Sequence, residues 1–266
     1  MGNSSNSRND SELVGAYLKL PRWRLDEIKD YRVLIGFAGF GNVGYLSLTH
    51  FVESLDLESI AFWGGSSWYH NNRLESLLTV YKHEPTKTIL VMQRVPVPVT
   101  VVPQKYWDEL TQEILSWNCK EYIIIGGLRE ETRHYGSTDW AAYAPNPAWV
   151  HLHKVQRTFN DHLAMIGPLS AFLSFGTTMN IPVLGLLAYC ELEEDPSAAL
   201  VAAQEINKLC GYNLDNIISL NRFDYSFVPN IMVQMKEMEE LANDSDYRNG
   251  DDDDDDMPGF DINELI

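Results

Sequence analysis

Short runs of branched apolar residues punctuate this chain: Val33-Leu34-Ile35, Ile60-Ala61-Phe62-Trp63, Ile123-Ile124-Ile125 and Val183-Leu184-Gly185-Leu186-Leu187. Runs of that length and composition suit strands covered on both faces. Between them the apolar spacing lengthens to that of helices. Val43, Leu46, Ser47, His50, Phe51 and Leu55 share one face and predict a helix over residues 43–55. Tyr106, Trp107, Leu110, Ile114 and Trp117 predict an amphipathic helix over 104–118. The small-residue stretch 167–179 reads as a buried helix. Pro196 opens an Ala-rich helix over 197–209, closed by Gly211. Two strand-like runs, 77–82 and 88–93, are parted by Glu84-Pro85-Thr86 and predict a hairpin. Residues 13–30 predict a lead-in strand or short helix, and 232–241 a Met-rich helix. This alternation implies an α/β fold: three layers, a mixed and mostly parallel sheet flanked by helices. One domain is expected over residues 13–241, between a disordered N-terminus (1–12) and a disordered acidic tail (242–266).

Four glycines, Gly36, Gly39, Gly41 and Gly44, stand between the first strand and its helix. They include a literal G-x-G-x-x-G, the turn of dinucleotide-binding folds. That fingerprint also needs a carboxylate at the end of the next strand, for the ribose hydroxyls. The next run, 60–63, ends instead in Gly64-Gly65-Ser66-Ser67 and a polar loop to residue 73, and Glu58 precedes it. Phe37 and Phe40 are bulky for a loop that hugs a pyrophosphate. The favoured reading is a structural turn, with nucleotide binding as the alternative.

Charge narrows the range of partners. The net charge is −18 over 266 residues, and from Glu239 onward twelve acidic residues face one arginine. Such a chain does not suit duplex nucleic acid, whose binding rests on lysine and arginine neutralising phosphates. Three cysteines, Cys119, Cys190 and Cys210, lack paired spacing and fit a reducing compartment. No run is long enough to span a bilayer, and the first ten residues lack the apolar stretch of a signal peptide. Gly2 and Ser5 partly match a myristoylation signal, but Asn6 occupies the required serine or threonine position. A cytoplasmic protein that binds neither membrane nor nucleic acid is expected.

The catalytic and metal candidates are thin. His151 and His153 would share one face of a strand, with Asp161-His162 or Glu130-Glu131 to complete a shell. Val150 and Leu152 interleave with them as in an ordinary half-buried strand, and no second metal-type spacing exists. Gly65-Ser66-Ser67 and Pro168-Leu169-Ser170 lack the flanks of a nucleophile elbow. Cys119 sits where thiols are buried. Arg129, Glu130, Glu131 and Arg133 read as a self-paired loop. No catalytic residue, cofactor or metal is therefore expected. Contact residues are easier to name. Val95, Val97 and Val99 alternate with prolines, and residues 135–149 are aromatic-rich and proline-broken, which points to a homo-oligomer. Phe260, Ile262, Leu265 and Ile266 follow the aspartate run 251–256 and could anchor a tethered tail, or only end a solubilising one.

One ordered set of motifs goes further. It comprises the glycine stretch at 36–44, Ile123-Ile124-Ile125-Gly126-Gly127, Gly167-Pro168-Leu169-Ser170-Ala171-Phe172-Leu173, and Pro182-Val183-Leu184-Gly185-Leu186-Leu187. Asp195-Pro196-Ser197-Ala198-Ala199 and Leu209-Cys210-Gly211 complete it. In order and spacing, over residues 31–214, it resembles the proteasome assembly chaperones of the second type and their archaeal relatives. The resemblance implies a fold similar to nucleoside phosphorylases without their activity, assembled into oligomers. It also implies a non-enzymatic chaperone or adaptor for proteasome α-subunits or a related complex. Some such chaperones end in a hydrophobic–Tyr–any-residue motif; this chain ends Glu264-Leu265-Ile266, with leucine in the tyrosine's place. The alternative is a nucleotide- or nucleoside-handling enzyme using the turn at 39–44.

Overall fold

The computed structural model describes residues 22–70, 73–93, 104–133, 137–153 and 164–212. All belong to the first of two units into which the chain divides, residues 1–223 and 224–266. Strand β1 (Arg32–Gly36) lies at the middle of a seven-stranded sheet, with β4 (Thr88–Gln93) on one side and β5 (Glu121–Arg129) on the other. Both neighbours run parallel to β1, so that Ile35 faces Val91 and Ile124. Beyond β5, β7 (Val183–Cys190) is also parallel. Three antiparallel pairings finish the edges: β2 (Glu58–His70) on β3 (Arg73–His83), β3 on β4, and β6 (Ala141–Pro145) on β7. The order is β2-β3-β4-β1-β5-β7-β6, a mixed sheet with a parallel centre.

Val33, Leu34 and Ile35 are all fully buried, which requires cover on both faces of the sheet. Helix α2 (Val43–Ser54) packs against α6 (Pro196–Cys210), and α3 (Gln104–Ser116) against α5 (Gly167–Thr178). The alternation of strand residues assigns the layers. Val33, Ile35, Val91 and Ile124 share a core with Trp107, Leu110, Ile114 and Phe172 of α3 and α5. The lead-in segment contributes a short helix, α1 (Arg22–Glu27). Among the described residues no helix is long and apolar enough to cross a membrane.

Two expectations need correction. β2 does not stop at Trp63; it continues through Gly64-Gly65-Ser66-Ser67 to His70, with a register shift between Trp63 and Ser67. Glycines inside a strand absorb such an irregularity, and β3 alongside keeps the ladder going. Nor is 135–149 an open apolar contact stretch. It holds β6 and the start of α4 (Pro147–His153), and Ala141, Ala142, Ala144 and Trp149 are buried. The two prolines sit where proline is tolerated, at the end of an edge strand and at the first position of a helix. Asn146 joins the two elements: its side-chain Oδ1 accepts from the Trp149 and Val183 amides (2.9 and 3.1 Å) and its side-chain Nδ2 donates to the Ile181 carbonyl (2.7 Å). Val95, Val97, Val99, the stretch 232–241 and the tail with Phe260, Ile262, Leu265 and Ile266 lie outside the described residues.

Candidate functional site

Beyond the carboxyl end of β1 the chain turns sharply into α2. Phe37 goes inward, its ring 5.2 Å edge-on from Trp107 and 6.4 Å from Phe172. Ala38 donates its amide to the Gln93 side chain (3.3 Å), tying the turn to β4. A single 3-10 turn, Phe40–Asn42, then leads into the helix, with Gly41 at φ 64° and Asn42 at φ 48°. Gly41 supplies the left-handed conformation without steric cost. Gly44 is needed for proximity instead: a Cβ there would lie 2.4 Å from the Ile125 carbonyl oxygen and 2.7 Å from that of Phe37. Gly127 on β5 accepts the turn in the same way, since its Cβ would lie 2.0 Å from the Phe40 carbonyl oxygen. The glycines at 36, 39, 41 and 44 thus gather in one place, and Gly36, Gly41 and Gly44 press backbone against neighbouring chain.

The carboxyl ends of β1, β5 and β7 and the start of α5 surround a cleft of about 460 Å3. Its walls are Phe37, Phe40, Ile125, Ile166, Leu169 and Leu187, and among the described residues Glu193 is the one charged side chain lining it. The cleft lies at the carboxyl ends of the parallel strands β1, β5 and β7, the end of an open α/β sheet where ligands customarily bind. A second recess of about 480 Å3 adjoins it through Phe40 and Glu193, and is lined by Arg129, Glu130, Glu131, Cys190, Glu191 and Leu192. At the mouth Phe40 is 53% exposed, Leu192 62% and Ile166 77%.

The acidic loop that follows β7 is locked in place. The Asp195 amide donates to the Gly41 carbonyl (2.9 Å), and the Asp195 carboxylate accepts from the Glu191 amide (3.1 Å) and the Ala198 amide (2.9 Å). The last bond caps α6. Glu191, Glu193 and Glu194 are thereby held outward, exposed, beside the glycine turn. Across the recess, the Arg129 guanidinium lies 4.7 Å over the Phe40 ring. Arg133 lies 2.8 Å from Glu130 and over the rings of Tyr189 and Trp140. Of residues 191–195 the sequence singled out only Asp195, at the head of the motif that runs into α6; the signal available for the glutamates was the acidic run itself.

Chemistry is poorly served here. Burial pushes the Cys190 thiol up to about 11 and Cys119 up to about 12, so neither is a thiolate near neutrality. His151 and His153 fall on helix α4 rather than a strand, about 200° apart around its axis. They cannot share a metal. His153 Nε2 instead lies 2.6 Å from Glu121 at the opposite end of the sheet, its ring stacked on Trp149 at 4.3 Å. Among the described residues no cluster of three or more metal-ligating side chains forms. Glu58 also stands at that opposite end, 3.3 Å from Lys82, too remote to serve a ribose at the glycine turn.

A family model describing PAC2 matches residues 33–221, which include the whole of the cleft. The chain belongs to the PAC2 family. Solved structures of like fold include Pyrococcus furiosus PbaA, an archaeal homolog of proteasome-assembly chaperone. It is 17% identical with a TM-score of 0.57, the match covering 83% of this chain and 93% of that one. A Thermoplasma acidophilum protein of unknown function is 19% identical with a TM-score of 0.56, covering 86% and 96%. Pyrococcus furiosus PbaB, an archaeal proteasome activator, is 17% identical with a TM-score of 0.55, covering 86% and 97%. At these identities it is the fold that is shared. No curated protein matches the chain in sequence. Within the PAC2 frame, the glycine-rich turn is the piece that seats α2 on the sheet beside the cleft.

Proposed function

We propose that this PAC2 protein is a non-enzymatic, cytoplasmic chaperone or adaptor that binds proteasome α-subunits or a related complex, and that it works as a homo-oligomer. The observation that carries the reading is the family match over residues 33–221. The descriptions of PbaA as a homolog of proteasome-assembly chaperone and PbaB as a proteasome activator point the same way. The open apolar cleft suits a protein that holds others, since exposed apolar patches are where proteins meet.

The rival reading, a nucleotide- or nucleoside-handling enzyme, has one feature in its favour: Arg129 stands over the glycine turn. Against it, that guanidinium lies on the Phe40 ring among Glu130, Glu131, Glu191 and Glu193, a field that repels phosphate. The deciding experiment mixes the purified full-length chain with purified proteasome α-subunits from the same source and follows them by size-exclusion chromatography with light scattering. Co-elution is expected, and the free chain should run above its 30.3 kDa monomer mass. Separate elution, together with micromolar binding of ATP, NAD or a nucleoside by calorimetry, would transfer the assignment to the enzyme.

A further inference from the structure

We infer that the cleft and its mouth form a receptor for a basic, apolar peptide segment: an apolar side chain enters between Phe40 and Leu169, and flanking lysines or arginines meet the glutamates at the rim. The inference deepens the proposed chaperone role and rests on it for the kind of partner, a polypeptide.

Two independent features of the surface converge on it. The first is apolar. Of the seven large hydrophobic side chains that the described residues leave exposed, Phe40, Ile166 and Leu192 border the two recesses. Trp140, 65% exposed, lies close by under Arg133. Apolar groups so gathered around a concave, apolar-walled space suit an anchor side chain. The second is charge. Among the described residues, five glutamates, at 130, 131, 191, 193 and 194, stand in or beside the recesses against Arg129 and Arg133, an excess of three negative charges. Both arginines are engaged, Arg129 by the Phe40 ring and Arg133 by Glu130 and two aromatic rings. Among the described residues no ion pair forms to Glu131, Glu191 or Glu193. The acidic loop is also rigidly presented, because Asp195 ties it to Gly41 and to the start of α6. Charges held in place lose less freedom when a partner pairs with them.

The same charge selects among occupants. The chain's own C-terminal segment carries four apolar residues, but it follows a run of six aspartates, so like charges would meet at the rim. A second copy brings the same acidic rim and tail. A partner rich in lysine or arginine gains attraction where these lose it, and that attraction is screened beyond about 8 Å at physiological salt.

The test uses the full chain and two short synthetic peptides labelled with fluorescein. In one, lysines alternate with leucine and phenylalanine; in the other, glutamates replace the lysines and the apolar residues stay. Fluorescence anisotropy should show micromolar binding of the lysine peptide and at least about tenfold weaker binding of the glutamate peptide. The combined change Glu191→Gln, Glu193→Gln and Glu194→Gln touches only exposed side chains and leaves the Asp195 cap intact. It should weaken the lysine peptide about tenfold at low salt and less at high salt. Phe40→Ala should weaken the same peptide at both salt levels. Equal binding of the two peptides, binding of neither, or a triple variant indistinguishable from the parent overturns the inference. No proteasome subunit is present in this assay, so its failure leaves the co-elution result standing, and a failed co-elution leaves the peptide result readable.

Discussion

The two ends of the sheet are built on opposite principles. At the amino end, charges and hydroxyls lock five elements together. Arg32 of β1 pairs with the buried Glu121 of β5, donates to the Cys210 carbonyl at the end of α6 (3.5 Å), and lies 5.9 Å over the Tyr212 ring. The Tyr212 hydroxyl bonds in turn to Thr88 of β4, and His153 of α4 closes on the other Glu121 oxygen. At the carboxyl end the turn is seated mainly by backbone, with glycines at 36, 44 and 127 letting chain meet chain, while Phe40, Ile166 and Leu192 stay exposed around it. A buried charge needs its partners and leaves no room for a guest; a backbone joint uses no side chains and leaves them for contact. One end closes the fold and the other leaves an open apolar cleft.

The sharpest way to break this contrast is Glu121→Ala. It strips the buried partner from Arg32, whose side chain is 16% exposed against 1% for Glu121. Loss of about 3–5 kcal/mol is expected, read from denaturant midpoints, because an unpaired buried charge remains. A loss under about 1 kcal/mol would mean that the amino end is not held by this pair.

Acid sensitivity should come from the helix layer between the ends. Burial lowers the His50 imidazole on α2 to about 4, from 6.5 in the unfolded chain. The unfolded state therefore takes up the proton first as pH falls. Stability from neutral His50 is complete above about 6.5 and gone near 4, a loss of up to about 3 kcal/mol. His83 is lowered by burial too and adds with the same sign. Urea unfolding across this window should show the slope, and His50→Gln should flatten it.

Gly44→Ala probes the carboxyl end directly. A methyl 2.4 Å from the Ile125 carbonyl oxygen must force the turn off β5, costing about 1–3 kcal/mol and distorting the cleft. An unchanged midpoint would show that the turn is looser than its contacts imply.

The smallest expected effect sharpens the comparison most. Phe40→Ala, at a side chain 53% exposed, should alter thermal stability by no more than about 0.5 kcal/mol while weakening the lysine peptide. If stability falls by several kcal/mol instead, Phe40 belongs to the fold and not to the surface it offers.

Local pattern was enough for much of the fold. Val33-Leu34-Ile35, the glycines after them and the helical spacing to Leu55 specify strand, turn and helix, because each is set by residues near in sequence. The hairpin of β3 and β4 and the Gly211 cap of α6, at φ 66°, were legible for the same reason. Tertiary structure alone decided the rest. Gly64-Gly65-Ser66-Ser67 reads as a strand end, yet β3 carries the ladder past it. His151 and His153 alternate with Val150 and Leu152 as a strand would, but Pro147 and Asn146 start a helix there and send His153 to Glu121. Glu121 and Arg32 stand 89 positions apart, and Phe40, Ile125, Leu169 and Leu187 come from four separate stretches. Propensity and periodicity act over a few residues, so they determine the elements. Which charges become buried partners, and which apolar groups are left around an open cleft, is set only when distant segments pack.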